Sequence, residues 1–169
     1  GTYIIAALML NSALEINNFN TIYLKSLIDI LKKMGAKLKV SKNSIKVSKG
    51  SKLKSTSLST SPYPGFPTDL QAQLMSLMCI SDGKSKIKET IFENRFMHVP
   101  ELNRLGANIT VEKDTATIIG NQTFKGAQVM ASDLRASISL VLAAMNANGQ
   151  TTLNRVYHLD RGYENIEKT

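Results

Sequence analysis

Aspartate and arginine residues recur at matched positions and could together bind an anionic substrate. Asp69 precedes Arg95 by 26 residues, and Asp133 precedes Arg161 by 28. Each aspartate stands at a predicted helix start, and each arginine stands at the next junction between a loop and a helix. Arginine binds phosphate or carboxylate through its planar fork of donors, and helix N-termini add further N–H groups. Taken singly, each arginine would fit a surface salt bridge; the recurrence favours an anion site.

The two aspartates have two interpretations. A carboxylate at a helix start stabilises the helix by complementing the positive end of its dipole. A carboxylate beside arginines could also accept the proton of a substrate hydroxyl group. The residues alone leave both interpretations open.

An internal repeat of about 65 residues organises the chain. Ala6, Ala72 and Ala136 occupy the same place in three similar segments, each an apolar run that predicts a buried helix. The expected N-cap residues of these helices are Thr2, Thr68 and Ser132. The repeat predicts two units and part of a third, with boundaries 1–66, 67–130 and 131–169.

A second recurrence predicts the rest of each unit. Segments 34–40 and 105–111 both read as a helix end, a glycine and an alternating strand. Two hairpins are expected, with their turns at Asn43 and Asp114. Their predicted strands are 37–40 with 44–47, and 108–112 with 115–119.

The apolar helix predicted at 134–145 has few polar positions and must be buried on all sides. Burial of such helices favours an α/β fold in which helices lie inside and sheets outside around a pseudo-threefold axis. The third unit stops before its second helix ends, so we expect its missing part beyond Thr169 or in a segment before Gly1.

Composition excludes several classes of site. The single cysteine, Cys79, lies in an apolar helical run, which predicts an inert buried thiol, no disulfide framework and a reducing, cytoplasmic setting. His98 and His158 lack partners at metal-ligand spacing, and no nucleotide-binding glycine motif occurs, so neither a metal nor a cofactor is expected. No apolar run reaches the roughly 20 residues that a membrane span needs.

The formal net charge of +8 allows three interpretations. Lysines concentrate in segment 39–54, which has no aromatic residue to stack on bases. The charge could therefore reflect a solvated surface, a nucleic-acid-binding module, or long-range attraction of small anionic substrates.

Four longer motifs carry a resemblance to a known family. They are PGFPTDLQAQ at 64–73, the segment 90–102 that contains ENRFMH, MASDLRAS at 130–137, and the segment 157–164 that contains LDRGY. In order and spacing the chain resembles the UDP-N-acetylglucosamine enolpyruvyl transferases. These enzymes transfer the enolpyruvyl group of phosphoenolpyruvate to the sugar 3'-hydroxyl group and release phosphate, which commits the sugar to peptidoglycan synthesis.

The resemblance implies a role for each candidate residue. Asp69 would accept the hydroxyl proton and hold the sugar, while the backbone of Ile91 would contact the nucleotide sugar. Arg95 and Arg161 would bind the anionic groups. Two further residues would complete the site: Asp133 by orienting the arginines and Arg135 by adding positive charge.

The resemblance also implies an α/β fold of the inside-out α/β barrel type, built from repeated two-helix, four-strand units, of which the chain is most of a second domain. The family's cysteine that acts as an acid, together with other substrate-binding residues, belongs to a first domain that is absent here. The fragment alone is therefore expected to be inactive. The expected partners are the two substrates and that first domain, with no nucleic acid and no membrane. The alternatives are an enolpyruvyl transferase that uses shikimate 3-phosphate as acceptor, and a non-catalytic basic module that binds nucleic acid.

Overall fold

A computed structural model of the chain describes residues 1–163 and contains five α-helices and nine strands in that range. The helices are α1 (Thr2–Met9), α2 (Lys25–Lys33), α3 (Gln71–Ile80), α4 (Val99–Arg104) and α5 (Leu134–Met145). The strands are β1 (Leu14–Asn17), β2 (Leu38–Val40), β3 (Ser44–Val47), β4 (Leu58–Ser59), β5 (Lys84–Lys88), β6 (Asn108–Glu112), β7 (Thr115–Ile119), β8 (Gln128–Met130) and β9 (Thr152–Asn154). The last part of the expected third unit, 164–169, lies outside the described residues.

The strands form three separate sheets with a recurring order. The first sheet has the order β1-β3-β2, the second β4-β5-β7-β6, and the third pairs β8 with β9. All pairs within the first sheet are antiparallel, whereas β4 joins β5 and β8 joins β9 in parallel. Strand β4 therefore follows the first sheet along the chain but belongs to the second sheet. In the same way, β8 follows the second sheet but belongs to the third.

Helices α1, α3 and α5 lie inside these sheets. Helix α3 packs against both α1 and α5, and its residues Gln71 to Cys79 are all buried. The core continues into the inward faces of the strands, such as Ile45 on β3 and Ile118 on β7, which are both fully buried. The expected arrangement of helices inside and sheets outside is confirmed.

The inner helices are not equally enclosed. Only α3 is surrounded by the other two, and the prediction that α5 is buried on all sides is wrong. Met145, at the end of α5, is 53% exposed, and Tyr3 on α1 is 44% exposed. The two helices also meet at their C-terminal ends, where the side chain of Asn146 donates to the carbonyl of Met9 at 2.9 Å.

Both predicted hairpins are confirmed. Strands β6 and β7 have the predicted bounds, and β2 begins one residue later than expected. Gly35 and Gly106 lie two residues beyond the ends of α2 and α4, and their φ angles of 95° and 101° suit glycine because it has no Cβ. Glycine spacing was therefore a reliable guide to the ends of α2 and α4.

The repeat also holds for single hydrogen bonds. The amide of Lys54 donates to the carbonyl of Met34 at 2.8 Å, and the amide of Lys125 donates to the carbonyl of Leu105 at the same distance. Lys54 then forms an isolated parallel bridge with Asp82, as Lys125 does with Asn148.

Among the residues described, no helix is long and apolar enough to cross a membrane.

The predicted N-cap residues are wrong for all three inner helices. Gly1 occupies the N-cap of α1, and a 3-10 turn, Thr68–Leu70, precedes α3. The N-cap of α5 is Asp133 instead of Ser132. The pattern located each helix to within a turn, but it could not show which of two adjacent polar residues bonds the free amides.

Candidate active site

The N-terminal ends of the three inner helices converge at one end of the fold. The side chains of Asp69 and Arg135 form a hydrogen-bonded ion pair that joins the start of α3 to the start of α5. The hydroxyl groups of Thr2, on α1, and Tyr163 are 2.8 Å apart. This end of the molecule therefore gathers free backbone N–H groups together with both signs of charge.

The ion pair between Asp69 and Arg135 is open to solvent. The side chain of Asp69 is 63% exposed and that of Arg135 is 37% exposed. Exposed ion pairs contribute only about 0–1 kcal/mol to stability, so this contact adds little to the stability of the fold. Asp69 makes no side-chain cap of α3. Its carboxylate is accessible to a ligand and is held next to a cation.

Asp133 has the structural role that the sequence left open. One oxygen of its carboxylate accepts hydrogen bonds from the amides of Arg135 at 2.8 Å and Ala136 at 3.0 Å. These bonds satisfy two of the free amides of α5 and confirm the helix-start interpretation. Within residues 1–163 the Asp133 side chain makes no hydrogen bond to an arginine side chain. It holds the backbone of Arg135 and leaves that guanidinium to Asp69.

Arg95 and Ile91 line a groove of about 920 Å³ beside the turn between β6 and β7, at one end of the second sheet. The guanidinium carbon of Arg95 lies 4.6 Å from the ring centroid of Phe92, a cation–π contact that restrains the side chain. Asn94, just before it, adopts a left-handed conformation with φ of 55°. The groove brings together two of the predicted site residues. Asp69 does not line it.

Arg161 lies beside the start of α5. It is exposed and follows a 3-10 turn, Val156–His158. The next residue, Gly162, packs so closely on Leu134 that an added Cβ would be 2.8 Å from that side chain. The loop that carries Arg161 therefore belongs to the end of the fold where Asp69 and Arg135 meet. Neither Arg161 nor Arg95 takes part in an ion pair within the described part of the chain.

Glu89 is a buried carboxylate beside the groove that the sequence did not indicate. Its side chain is only 4% exposed and follows β5 directly. The carboxylate accepts bonds from the hydroxyl groups of Thr60 at 2.8 Å and Thr68 at 2.9 Å, and from the amides of Ile91 and Phe92. In the sequence Glu89 follows an alternating lysine-rich strand and looks like one more exposed charge. Its threonine partners are 21 and 29 residues away, so no local pattern identifies it.

The remaining titratable candidates are buried. The expected burial of Cys79 is confirmed, and this burial raises the pKa of its thiol to about 12. Burial also lowers the pKa of His98 to about 4, and the nearby charge of Asp133 opposes this shift. In the region from 1 to 163, no group of three or more potential metal ligands is present.

The chain belongs to the EPSP synthase (3-phosphoshikimate 1-carboxyvinyltransferase) family, whose model matches residues 1–169. Within the curated proteins, it is 54% identical over 168 residues to a UDP-N-acetylglucosamine 1-carboxyvinyltransferase of Pelagibacter ubique. It is 52% identical over 168 residues to the UDP-N-acetylglucosamine 1-carboxyvinyltransferase 2 of Mesorhizobium japonicum. Both matches cover 99% of this chain and 40% of the relative, so the chain spans about two fifths of the length of these proteins.

Solved structures show the same fold. The enolpyruvyl transferase NikO from Streptomyces tendae superposes with a TM-score of 0.90 at 29% identity, over 99% of this chain and 40% of that one. An EPSP synthase from Acinetobacter baumannii superposes with a TM-score of 0.75 at 16% identity, over 96% of this chain and 41% of that one. At that identity the second likeness concerns the fold alone.

Proposed function

We propose that the full-length protein carrying this chain transfers the enolpyruvyl group of phosphoenolpyruvate to the 3'-hydroxyl group of UDP-N-acetylglucosamine and releases phosphate. The observation that carries this proposal is the identity of 50–54% to proteins named for that reaction, across 99% of the chain. The other acceptor, shikimate 3-phosphate, is less favoured, because the solved EPSP synthase is only 16% identical to this chain. The same assignment makes the protein part of peptidoglycan synthesis.

In this proposal Asp69 is the catalytic base. The reaction needs a group that accepts the proton of the sugar hydroxyl group as the hydroxyl oxygen bonds to phosphoenolpyruvate. Asp69 has an exposed carboxylate at the end of the fold where helix N-termini meet, and Arg135 holds it in place. Arg135 thereby restricts where the carboxylate points, and it adds positive charge close to a substrate with several negative groups.

Arg95, Arg161 and Ile91 are the proposed binding residues. Phosphoenolpyruvate carries a phosphate and a carboxylate, both of which suit the guanidinium fork. Arg161 lies on a loop against the start of α5, and Arg95 lies in the groove with the backbone of Ile91. Asp133 contributes indirectly, since it caps α5 and thereby fixes the backbone from which the Arg135 side chain extends.

The chain supplies only part of this proposed site. We assign it to a domain of two units and part of a third, at 1–66, 67–130 and 131–169, which works with a first domain elsewhere in the full-length protein. That domain would supply the proton donor for the methylene carbon of phosphoenolpyruvate and the remaining cations. The isolated chain should therefore show no turnover.

Phosphate release by the full-length protein tests the proposal directly. The protein is incubated with phosphoenolpyruvate and either UDP-N-acetylglucosamine or shikimate 3-phosphate, with each acceptor omitted in turn as the control. We expect release only with UDP-N-acetylglucosamine, and the product should gain the mass of an enolpyruvyl group. Release with shikimate 3-phosphate alone would assign the other acceptor. No release with either acceptor, combined with salt-sensitive binding to nucleic acid, would favour the basic binding module.

A further inference from the structure

Glu89 is a buried carboxylate at the base of the segment that lines the groove. In the part of the chain that the structure describes, no lysine or arginine forms an ion pair with it, and the neighbouring Lys88 pairs with Asp114 instead. Hydrogen bonds alone compensate its burial, and all of them use the carboxylate as an acceptor. A buried charge held in this way requires a fixed environment, because the loss of any donor leaves it unsatisfied.

One oxygen of Glu89 sets the direction of the Ile91 carbonyl group. It accepts the amide of Ile91 at 2.9 Å and the amide of Phe92 at 3.3 Å. The peptide bond between these two residues is trans, so the carbonyl of Ile91 points away from the amide of Phe92. Since that amide points inward to the carboxylate, the carbonyl points outward. Among the described residues no donor bonds this carbonyl oxygen, which is therefore free to accept a bond from a ligand in the groove.

The other oxygen of Glu89 is bonded to the turn that carries Asp69. It accepts the hydroxyl group of Thr68, the residue before Asp69, at 2.9 Å. Thr60 completes the connection, because its hydroxyl group donates to Glu89 and accepts the amide of Thr90 at 2.9 Å. A single carboxylate thus ties the groove segment to the start of α3.

We propose that Glu89 is a positioning residue for the nucleotide-sugar substrate: it aims the Ile91 carbonyl at a hydrogen-bond donor of that substrate and fixes the turn that presents Asp69. This inference rests on the proposed function. Glu89 does not touch the reacting atoms and donates no proton, because every bond it makes in the structure requires it to accept. Its effect reaches the substrate through two neighbouring segments.

Two substitutions separate positioning from general stability. Glu89→Gln keeps an oxygen for the two amides, and its new NH₂ group can donate to Thr68, so its effect should be small. Glu89→Ala removes every bond. In the full-length protein we expect Glu89→Ala to reduce kcat/KM for UDP-N-acetylglucosamine by roughly 10- to 100-fold, the loss of about one to two hydrogen bonds. The KM for phosphoenolpyruvate should change less than that for the nucleotide sugar, because Arg161 lies on a separate loop against α5 that Glu89 does not contact.

The matched controls are Glu112→Gln and Ile45→Ala. Glu112 is an exposed glutamate at the end of β6, and Ile45 is a buried residue of the first sheet, far along the chain from the groove. Glu112→Gln should have wild-type kinetics. Ile45→Ala measures what lost stability alone does to kcat/KM. If Glu89→Ala impairs the nucleotide sugar no more than Ile45→Ala does, or if Glu89→Gln is as impaired as Glu89→Ala, the proposal is overturned.

Hydrogen exchange provides a readout that does not depend on turnover. The amides of Ile91 and Phe92 should exchange slowly in wild type and in Ile45→Ala, and faster in Glu89→Ala. Unchanged protection in Glu89→Ala would overturn the inference. Faster exchange with an unchanged kcat/KM for the nucleotide sugar would also overturn it, since the order of the segment would then not matter to the substrate. Wild-type turnover reports separately on the proposed function, so the two failures can be told apart.

Discussion

We expect the buried histidine His98 to make the stability of the fold dependent on pH. It is 3% exposed, and its Nε2 atom has no hydrogen-bond partner among residues 1–163. Burial lowers its pKa to about 4, against an ordinary value of 6.5, with the charge of Asp133 acting in the opposite direction. The unfolded chain therefore binds a proton at a higher pH than the folded chain does. The stabilisation is fully present above about pH 6.5 and is lost as the pH falls towards 4.

The size of the effect follows from these two pKa values. Each pKa unit corresponds to about 1.36 kcal/mol, and the two titration curves together predict a loss of about 2 kcal/mol between pH 8 and pH 5. The free energy of unfolding should be measured by urea titration at pH 8, 7, 6 and 5. Other groups also titrate in this range, so the informative quantity is the difference between wild type and His98→Gln, which cannot take up this proton.

We expect wild type to lose about 2 kcal/mol more than His98→Gln over this pH range. His158→Gln is the matched control because it removes the other histidine and leaves the buried one in place, so its profile should follow wild type. Parallel profiles for wild type and His98→Gln would refute the reasoning. They would mean that the imidazole is hydrated, or paired in both protonation states, in the folded protein.

Three further outcomes are expected. In the full-length protein, Asp69→Asn should lower kcat by at least about 100-fold with little change in melting temperature, because it removes the base while keeping the shape; a normal kcat would leave Asp69 with a structural role only. Arg95→Lys and Arg161→Lys should each lose about 1.5–3 kcal/mol in kcat/KM for phosphoenolpyruvate, since lysine keeps the charge and lacks the fork; wild-type kinetics together with a lower melting temperature would make them salt-bridge residues. Cys79 should react with a thiol reagent at pH 8 only after unfolding, which absorbance at the reagent's product band measures; rapid reaction of the folded chain would show that the thiol is accessible.

The sequence contained most of the fold because its signals are local. Gly35 and Gly106 end their helices in conformations that suit glycine, and alternating residues define the strands that follow. The same locality explains the errors in the N-caps, where Ser132 and Asp133 are adjacent and both are good caps. Only the backbone geometry decides which of them bonds the amides.

The site was less predictable because its decisive contacts join distant segments. Asp69 and Arg135 are 66 residues apart, and their ion pair could not be deduced from the matched spacing of aspartates and arginines. Glu89 was missed for the same reason. A glutamate after a lysine-rich strand normally faces water, and this one is buried only because two distant threonines and two nearby amides converge on it.

Strands β4 and β8 each extend the sheet of the following segment, and this exchange affects how the protein can come apart. If β4 (Leu58–Ser59) unfolded, the sheet that contains β5 would lose its edge strand. Neighbouring units therefore cannot unfold independently, as self-contained repeats in a stack can. Denaturation should then be a shared, cooperative event. For the same reason, the piece with a complete four-stranded sheet runs from β4 to β7, out of phase with the repeat read from the sequence. A gene duplication or an engineered cut that followed the sequence repeat would separate a strand from its sheet.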